Sequence, residues 1–293
     1  MKLSTDKILA KNDGSVGRLI LNNPERRNAI SLDMWQGIAE AFQEFSGNPK
    51  IRCIVMSGAG DKAFASGADI SQFKERRSDA NAAAEYAKIS MAGRKKMLEC
   101  DKPFIAQIRG FCMGGGLGIA LAADIRIASE DSVFGVPAAR LSIAYDRLNL
   151  GNLVALVGPS KAKEILITAK RYSALEAERM GLVNSCVPID KLEAEVADIT
   201  DRISQNAPLS MKASKLTINE LMKDDSGFDE DLVDQLTRDC FNSRDYQEGQ
   251  EAFMNKRQPI FYGKRLKINS LIIIYYIRIL ELQYGMFCAL FAK

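Results

Sequence analysis

Apolar residues fall into short runs over the first half of the chain and into helical repeats over the second. Val16–Leu21 and Ile51–Ser57 read as strands, and the near-continuous apolar character of the second predicts a buried one. Between them Met34, Ile38, Ala41, Phe42 and Phe45 recur at helical spacing, with Ser31 or Asp33 placed to cap the start. Phe104–Ile108, Asp124–Ala128 and Val133–Phe134 predict further strands, each close to a glycine or a helix. Pattern alone supports a mixed α/β domain.

From Ser160 onward the pattern is helical. Lys161–Ala169, Ala174–Met180, Asp190–Gln205 and Leu209–Met222 are separated by proline or glycine breaks. The end of the chain is different in kind. Residues 265–293 hold the run Leu271–Ile277 and a second apolar stretch interrupted by Arg278 and Glu281. A membrane span needs ~20 mostly apolar residues, and two charges near its middle are expensive. The expectation is therefore an extra packed helix or a non-native extension, rather than a membrane anchor.

Composition narrows the chemistry. The 293 residues suit one large domain with an appendage, and a net charge of +3 does not mark a nucleic-acid binder. Six scattered cysteines, with no C-x-x-C and no secretory signal, predict reduced thiols in a cytoplasmic protein. The chain has no histidine, which excludes a Ser-His-Asp or Cys-His apparatus and any His-containing zinc site. Neither a P-loop nor a G-x-G-x-x-G after a strand is present, so nucleotide-driven and nicotinamide chemistry find no support. No metal is expected, and no cofactor beyond what a substrate brings.

Two glycine-bearing segments carry most of the functional signal: Ala63-Phe64-Ala65-Ser66-Gly67-Ala68-Asp69-Ile70, and Gly110-Phe111-Cys112-Met113-Gly114-Gly115-Gly116-Leu117-Gly118. Each reads as a strand end turning into a helix, with small residues where the first backbone N–H groups would be. Such groups have no intrahelical partner and point beyond the helix end. Two of them converging from separate segments would stabilise negative charge growing on a carbonyl oxygen.

In this order the pair resembles the enoyl-CoA hydratase/isomerase (crotonase) superfamily. So do Asn22-Asn23-Pro24-Glu25-Arg26-Arg27-Asn28-Ala29-Ile30 and Ala177-Glu178-Arg179-Met180-Gly181-Leu182-Val183, and the resemblance runs to about Lys264. It implies a spiral of repeated strand–strand–helix units over residues 1–200. A C-terminal helical region over 201–264 would pack subunits into a homotrimer or hexamer. The implied substrate is an acyl-CoA thioester, with the Ala68 and Gly115 N–H groups as the oxyanion donors. The resemblance further assigns Arg26, Arg27, Ala29, Ala65, Asp69, Ile70, Gly114, Phe261 and Lys264 to CoA or substrate binding. Arg26 and Arg27 suit phosphate equally well as solvated loop charges, and Asp69 reads as a cap of its local turn.

One departure matters most. Family hydratases hold a water between two glutamates, one two residues after the glycine triplet and one after a Phe-Gly-x-Pro-like strand. Here those positions are Gly118 and, in Phe134-Gly135-Val136-Pro137-Ala138, Ala138. Neither side chain can move a proton. Asp146 falls where dienoyl-CoA isomerases of the family hold a proton-transferring aspartate, and Tyr145 where a methylmalonyl-CoA decarboxylase holds a tyrosine. Arg140 and Arg147 flank them and could pair with Asp146 or hold a substrate carboxylate. The nearest named activity is enoyl-CoA hydratase. The alternatives are an isomerase or decarboxylase using Asp146 and Tyr145, or a non-catalytic acyl-CoA-binding protein.

Overall fold

The computed structural model describes residues 1–69, 80–223 and 227–264, with 80–87 described by backbone alone. Ile70 and the tail 265–293 lie outside the described residues.

Two sheets organise the chain. The larger has six strands: β1 (Ile8–Asp13), β2 (Val16–Leu21), β3 (Cys53–Gly58), β5 (Phe104–Ile108), β7 (Ile125–Ser129) and β10 (Ser185–Val187), hydrogen-bonded in that order. Only the β1–β2 pair is antiparallel. The smaller sheet orders β4 (Ala63–Ala65), β6 (Phe111–Met113), β8 (Val133–Gly135) and β9 (Tyr172–Ser173), with β4–β6 and β6–β8 parallel. Each turn of the chain gives one strand to each sheet and then a helix. β3 and β4 lead to α2 (Ala80–Leu98), β5 and β6 to α3 (Gly115–Leu121), and β7 and β8 to α4 (Arg147–Thr168). This is the strand–strand–helix spiral.

The apolar pattern explains which faces are covered. α1 (Leu32–Gly47) buries Met34, Ile38, Ala41, Phe42 and Phe45 against the inner face, where Phe42 meets Phe104 edge-on. The large side chains among them, fully buried, contribute about 1.5–3 kcal/mol each. β3 alternates: Ile54 and Met56 join that core, while Cys53 and Val55 join Ile105 and Ile127 on the outer face. There α6 (Leu192–Gln205) covers them with Leu192, Val196 and Ile203. A strand covered on both faces has no polar side, hence its unbroken apolar run. α6 also carries the packed core across residue 200.

Several elements differ from expectation at their ends. The helix expected at Lys161–Ala169 is preceded by a further helical stretch that starts at Arg147, where Asp146 caps it by accepting the Asn149 N–H. Gly158, at φ 73, ψ 163, and Pro159 mark a kink between the two, so the expected helix is the second piece and differs only at its ends. α5 (Ala174–Arg179) opens with a reciprocal capping box between Ser173 and Glu176. α7 (Pro208–Leu221), α8 (Glu230–Phe241) and α9 (Arg244–Met254) complete the described chain. α7 is clipped to the core by Lys215, whose Nζ donates to Asp124 Oδ2 and the Lys102 carbonyl, both at 2.8 Å.

Candidate active site

The first wall of the site is a loop zipped to its neighbour. Residues 26–30 run beside 66–69: Ser66 N–H donates to the Arg27 carbonyl (3.0 Å), Ile30 N–H to Gly67 (2.8 Å), and Asp69 N–H to Ile30 (2.9 Å). Those last two bonds form a parallel bridge between Ile30 and Ala68. Because N–H direction alternates along an extended chain, the Ala68 N–H faces the other way. Asn28 anchors this wall. Fully buried at φ 55, it donates to the Ala59 (3.0 Å) and Ala63 (2.7 Å) carbonyls and accepts from Asn23 N–H.

The second wall is the start of α3. Met113 pairs with Gly135, and the Gly114 N–H donates to the Gly135 carbonyl at 2.8 Å. Gly114 takes the N-cap position at φ 51, ψ −116, a conformation that only glycine adopts easily. Gly116 packs against β4 so tightly that an added Cβ would fall 2.2 Å from the Ala65 carbonyl oxygen. The walls meet at Gly67–Ala68 and Gly114–Gly115. A methyl group on Gly115 would be 3.4 Å from the Ala68 nitrogen, and one on Gly67 would be 3.8 Å from the Gly115 nitrogen.

A cleft of about 330 Å³ opens at this meeting point. Its floor includes Gly67, Ala68, Gly114 and Gly115; its sides are mostly apolar, with Ala138, Leu141 and Ile143 on one. Ala138 therefore lines the cleft with a methyl group, at a position where the resemblance implied a carboxylate in hydratases. Gly118 lies behind it. Its missing side chain leaves room for Asn149, which is buried, with Nδ2 only 2.5 Å from where a Gly118 Cβ would stand.

Tyr145 and Asp146 both line the cleft. The Tyr145 hydroxyl donates to the Gly114 carbonyl oxygen at 3.0 Å. Burial, followed by the neighbouring Asp146 charge, pushes this phenol above its ordinary range, so it is a neutral donor at physiological pH. Asp146 receives three donors: Arg94 Nη1 at 2.7 Å, Asn149 Nδ2 at 2.6 Å and Asn149 N–H at 3.0 Å. Neither Arg140 nor Arg147 takes that place. Arg94 reaches it from α2, with its guanidinium 5.1 Å from the centre of the Trp35 ring.

The remaining candidates are spread more widely. Asp69 is buried and paired with Arg26 across 3.1 Å, in keeping with a structural role. Arg27 stacks over Phe111 at 5.2 Å, on a ring that Arg171 also approaches at 5.9 Å. Ala29 and Ala65 are buried behind the first wall. Cys112 is wholly buried, and desolvation raises its pKa, so it is an inert thiol. Phe261 and Lys264 are not brought to the cleft within this chain. Arg52 donates to the Phe261 carbonyl, Arg244 N–H to that of Lys264, and Asp245 holds Tyr262 and Gly263. Arg52 precedes β3, whereas the cleft is reached beyond the strand's other end. Arg94, Asn149 and Trp35 were not singled out as site residues by sequence reading. Ser90 and Arg94, four apart on α2 and both lining the cleft, are the nearest thing to a signal.

Comparison with known proteins identifies the family. The family model described as "Enoyl-CoA hydratase/isomerase" matches residues 11–264. A short-chain-enoyl-CoA hydratase of Clostridium acetobutylicum is 33% identical over 259 residues, covering 87% of this chain and 97% of the relative. A mitochondrial Delta(3,5)-Delta(2,4)-dienoyl-CoA isomerase of Dictyostelium discoideum is 33% identical over 266 residues, covering 86% and 90%. Among solved structures, an enoyl-CoA hydratase/carnithine racemase from Magnetospirillum magneticum superposes with a TM-score of 0.85 at 37% identity, covering 89% of this chain and 97% of that one. The spiral, the paired glycine walls and these matches together make the chain a member of the enoyl-CoA hydratase/isomerase family.

Proposed function

We propose that the Ala68 and Gly115 N–H groups form an oxyanion hole for an acyl-CoA thioester, and that Asp146 transfers the proton as an isomerase. Family-level hydratase/isomerase activity is carried by the relatives. The finer reading rests on one observation: Asp146 is the sole carboxylate among the described residues lining the cleft, and Gly118 and Ala138 replace the two that hydration uses.

The chemistry follows. The Asp146 carboxylate removes a proton from the thioester α-carbon. The C–H electron pair moves into the carbonyl, giving an enolate oxygen between the two N–H donors. For a β,γ-unsaturated acyl group the charge spreads to the γ-carbon. The protonated Asp146 returns its proton there, and the double bond shifts into conjugation with no net gain or loss of atoms. Losing one oxyanion donor typically costs roughly two to three orders of magnitude in rate. Mostly apolar walls suit an alkenyl chain, and water is not a reactant. The CoA portion is the only cofactor-like group involved, with Arg26–Ala29 and the basic rim of Arg27 and Arg171 as its track.

Simple hydration is the second reading, favoured by the relatives whose names are hydratases. The deciding experiment supplies 3-hexenoyl-CoA and, separately, crotonyl-CoA. A gain of conjugated-enoyl absorbance from the first supports isomerisation. Loss of absorbance from the second, with none gained from the first, supports hydration. Tight binding of both with no turnover would support a non-catalytic acyl-CoA-binding protein.

The assembly proposed is a homotrimer or hexamer in the cytoplasm. In support, Ile218, Leu221, Met222, Phe253 and Met254 of the C-terminal helices are each more than half exposed, an apolar face of the kind subunits cover. No helix among the described residues is long and apolar enough to cross a membrane.

A further inference from the structure

The Gly114 carbonyl and the Gly115 N–H belong to one planar peptide group, so fixing the oxygen fixes the direction of the N–H. That group needs fixing. Gly114 is at φ 51, ψ −116, and Gly115 follows it without a side chain. Two adjacent glycines leave the plane between them freer to turn than any other pair of residues would. The Gly114 N–H bond to Gly135 secures only the preceding peptide. The carbonyl oxygen itself accepts the Gly118 N–H at 3.0 Å, from the first turn of the helix, and the Tyr145 hydroxyl at 3.0 Å, from the cleft side. Both of its lone pairs are then used.

Resting on the oxyanion-hole reading, we infer that Tyr145 is a positioning residue. Its hydroxyl, through the Gly114 carbonyl, aims and polarises the Gly115 N–H toward the thioester oxygen. A second donor on a peptide carbonyl draws electrons from the amide and makes its N–H a stronger donor. The phenol has no proton-transfer duty under this assignment. Its single hydrogen is committed to Gly114, and it stays neutral in its buried setting.

The test is isotope-edited infrared spectroscopy of bound butyryl-CoA carrying ¹³C at the thioester carbonyl, in wild type and Tyr145→Phe. A saturated thioester has no double bond to shift. The phenylalanine keeps the ring that fills the wall and removes only the hydroxyl. Wild type is expected to move the carbonyl band to lower wavenumber than in free butyryl-CoA. Tyr145→Phe is expected to lose part of that displacement, and its kcat falls about tenfold with KM near the wild-type value. The same band position and kcat in both proteins would overturn the inference while leaving the oxyanion hole intact. A wild-type band that does not move on binding would overturn the hole itself, and this inference with it. Tyr145→Leu serves as a second variant. It removes ring and hydroxyl together, and a band displacement equal to wild type there would count against the assignment equally.

Discussion

Asn149 occupies the space that a side chain on Gly118 would need. A Cβ built on Gly118 would meet Asn149 Nδ2 at 2.5 Å and its Oδ1 at 2.8 Å. The same Nδ2 holds Asp146 at 2.6 Å. The glycine at 118 and the support of Asp146 are thus a single arrangement. Gly118→Ala is expected to destabilise the fold by about 1–3 kcal/mol through overpacking. Gly118→Glu is expected to cost more still, because its side chain has nowhere to go. In an Asn149→Ala background the cost of Gly118→Ala should largely vanish, a coupling that a double-mutant cycle in denaturant reads directly. Additive costs would contradict this pairing.

Asp146 has two tasks, and substitution separates them. As N-cap of α4 it accepts the Asn149 N–H, which an asparagine side chain does nearly as well. Asp146→Asn should therefore keep the cap, lose the charge that pairs with Arg94 at a cost of about 1–3 kcal/mol, and lose about a hundredfold or more in kcat. Asp146→Ala loses the cap as well, which costs about 1 kcal/mol more. An Asp146→Asn variant with near-normal turnover would remove the carboxylate from the mechanism.

Within the glycine triplet, Gly115 and Gly116 are expected to separate function from structure. A methyl on Gly115 meets nothing nearer than 3.4 Å, so Gly115→Ala should fold. It would nonetheless stand beside the Ala68 nitrogen, in the space proposed for the substrate oxygen. Activity is expected to fall by about a hundredfold, on the scale of one lost oxyanion donor. Gly116→Ala drives a methyl to 2.2 Å from a backbone oxygen of β4 and should lower stability by several kcal/mol, or abolish folding. Thermal melts and initial rates on the two variants separate the roles. Equal destabilisation by both would refute the division.

Asn28 links the loop of the first wall to β4. Its amide nitrogen serves two backbone carbonyls and its oxygen one N–H, all in a side chain with no solvent exposure. Asn28→Ala is expected to cost about 2–4 kcal/mol, since buried polar groups lose their partners. Hydrogen exchange at 63–69 should rise in the variant. Unchanged protection there would show that the loop holds itself.

Much of this was legible in the sequence because the strands that build the spiral are short apolar runs. β2 and β5 coincide with the expected Val16–Leu21 and Phe104–Ile108, and β3, β7 and β8 differ only at their ends. β1 escaped because Ile8–Asp13 buries only Ile8 and Ala10, too little alternation to register. The glycine motifs marked the two walls, since close backbone approach demands small residues wherever it occurs. Arg94 and Trp35 left no such mark. Arg94 meets Asp146 from α2 and Trp35 meets Arg94 from α1, both through tertiary packing, and nothing local in those helices distinguishes them from surface or core residues. Phe261 and Lys264 show the opposite case: the resemblance assigned them to the CoA site, while within this chain they are tied beside Arg52 and Asp245.

Exchange with solvent reads α-carbon proton transfer under an oxyanion hole without choosing among end products. Butyryl-CoA would be incubated with the protein in D₂O and its α-carbon followed by mass spectrometry and proton NMR. Deuterium incorporation by wild type, with about a hundredfold slower exchange in Asp146→Asn and in Gly115→Ala, is the predicted result. Butyryl-CoA that binds yet gains no deuterium, or exchange that proceeds undiminished in Asp146→Asn, would contradict it.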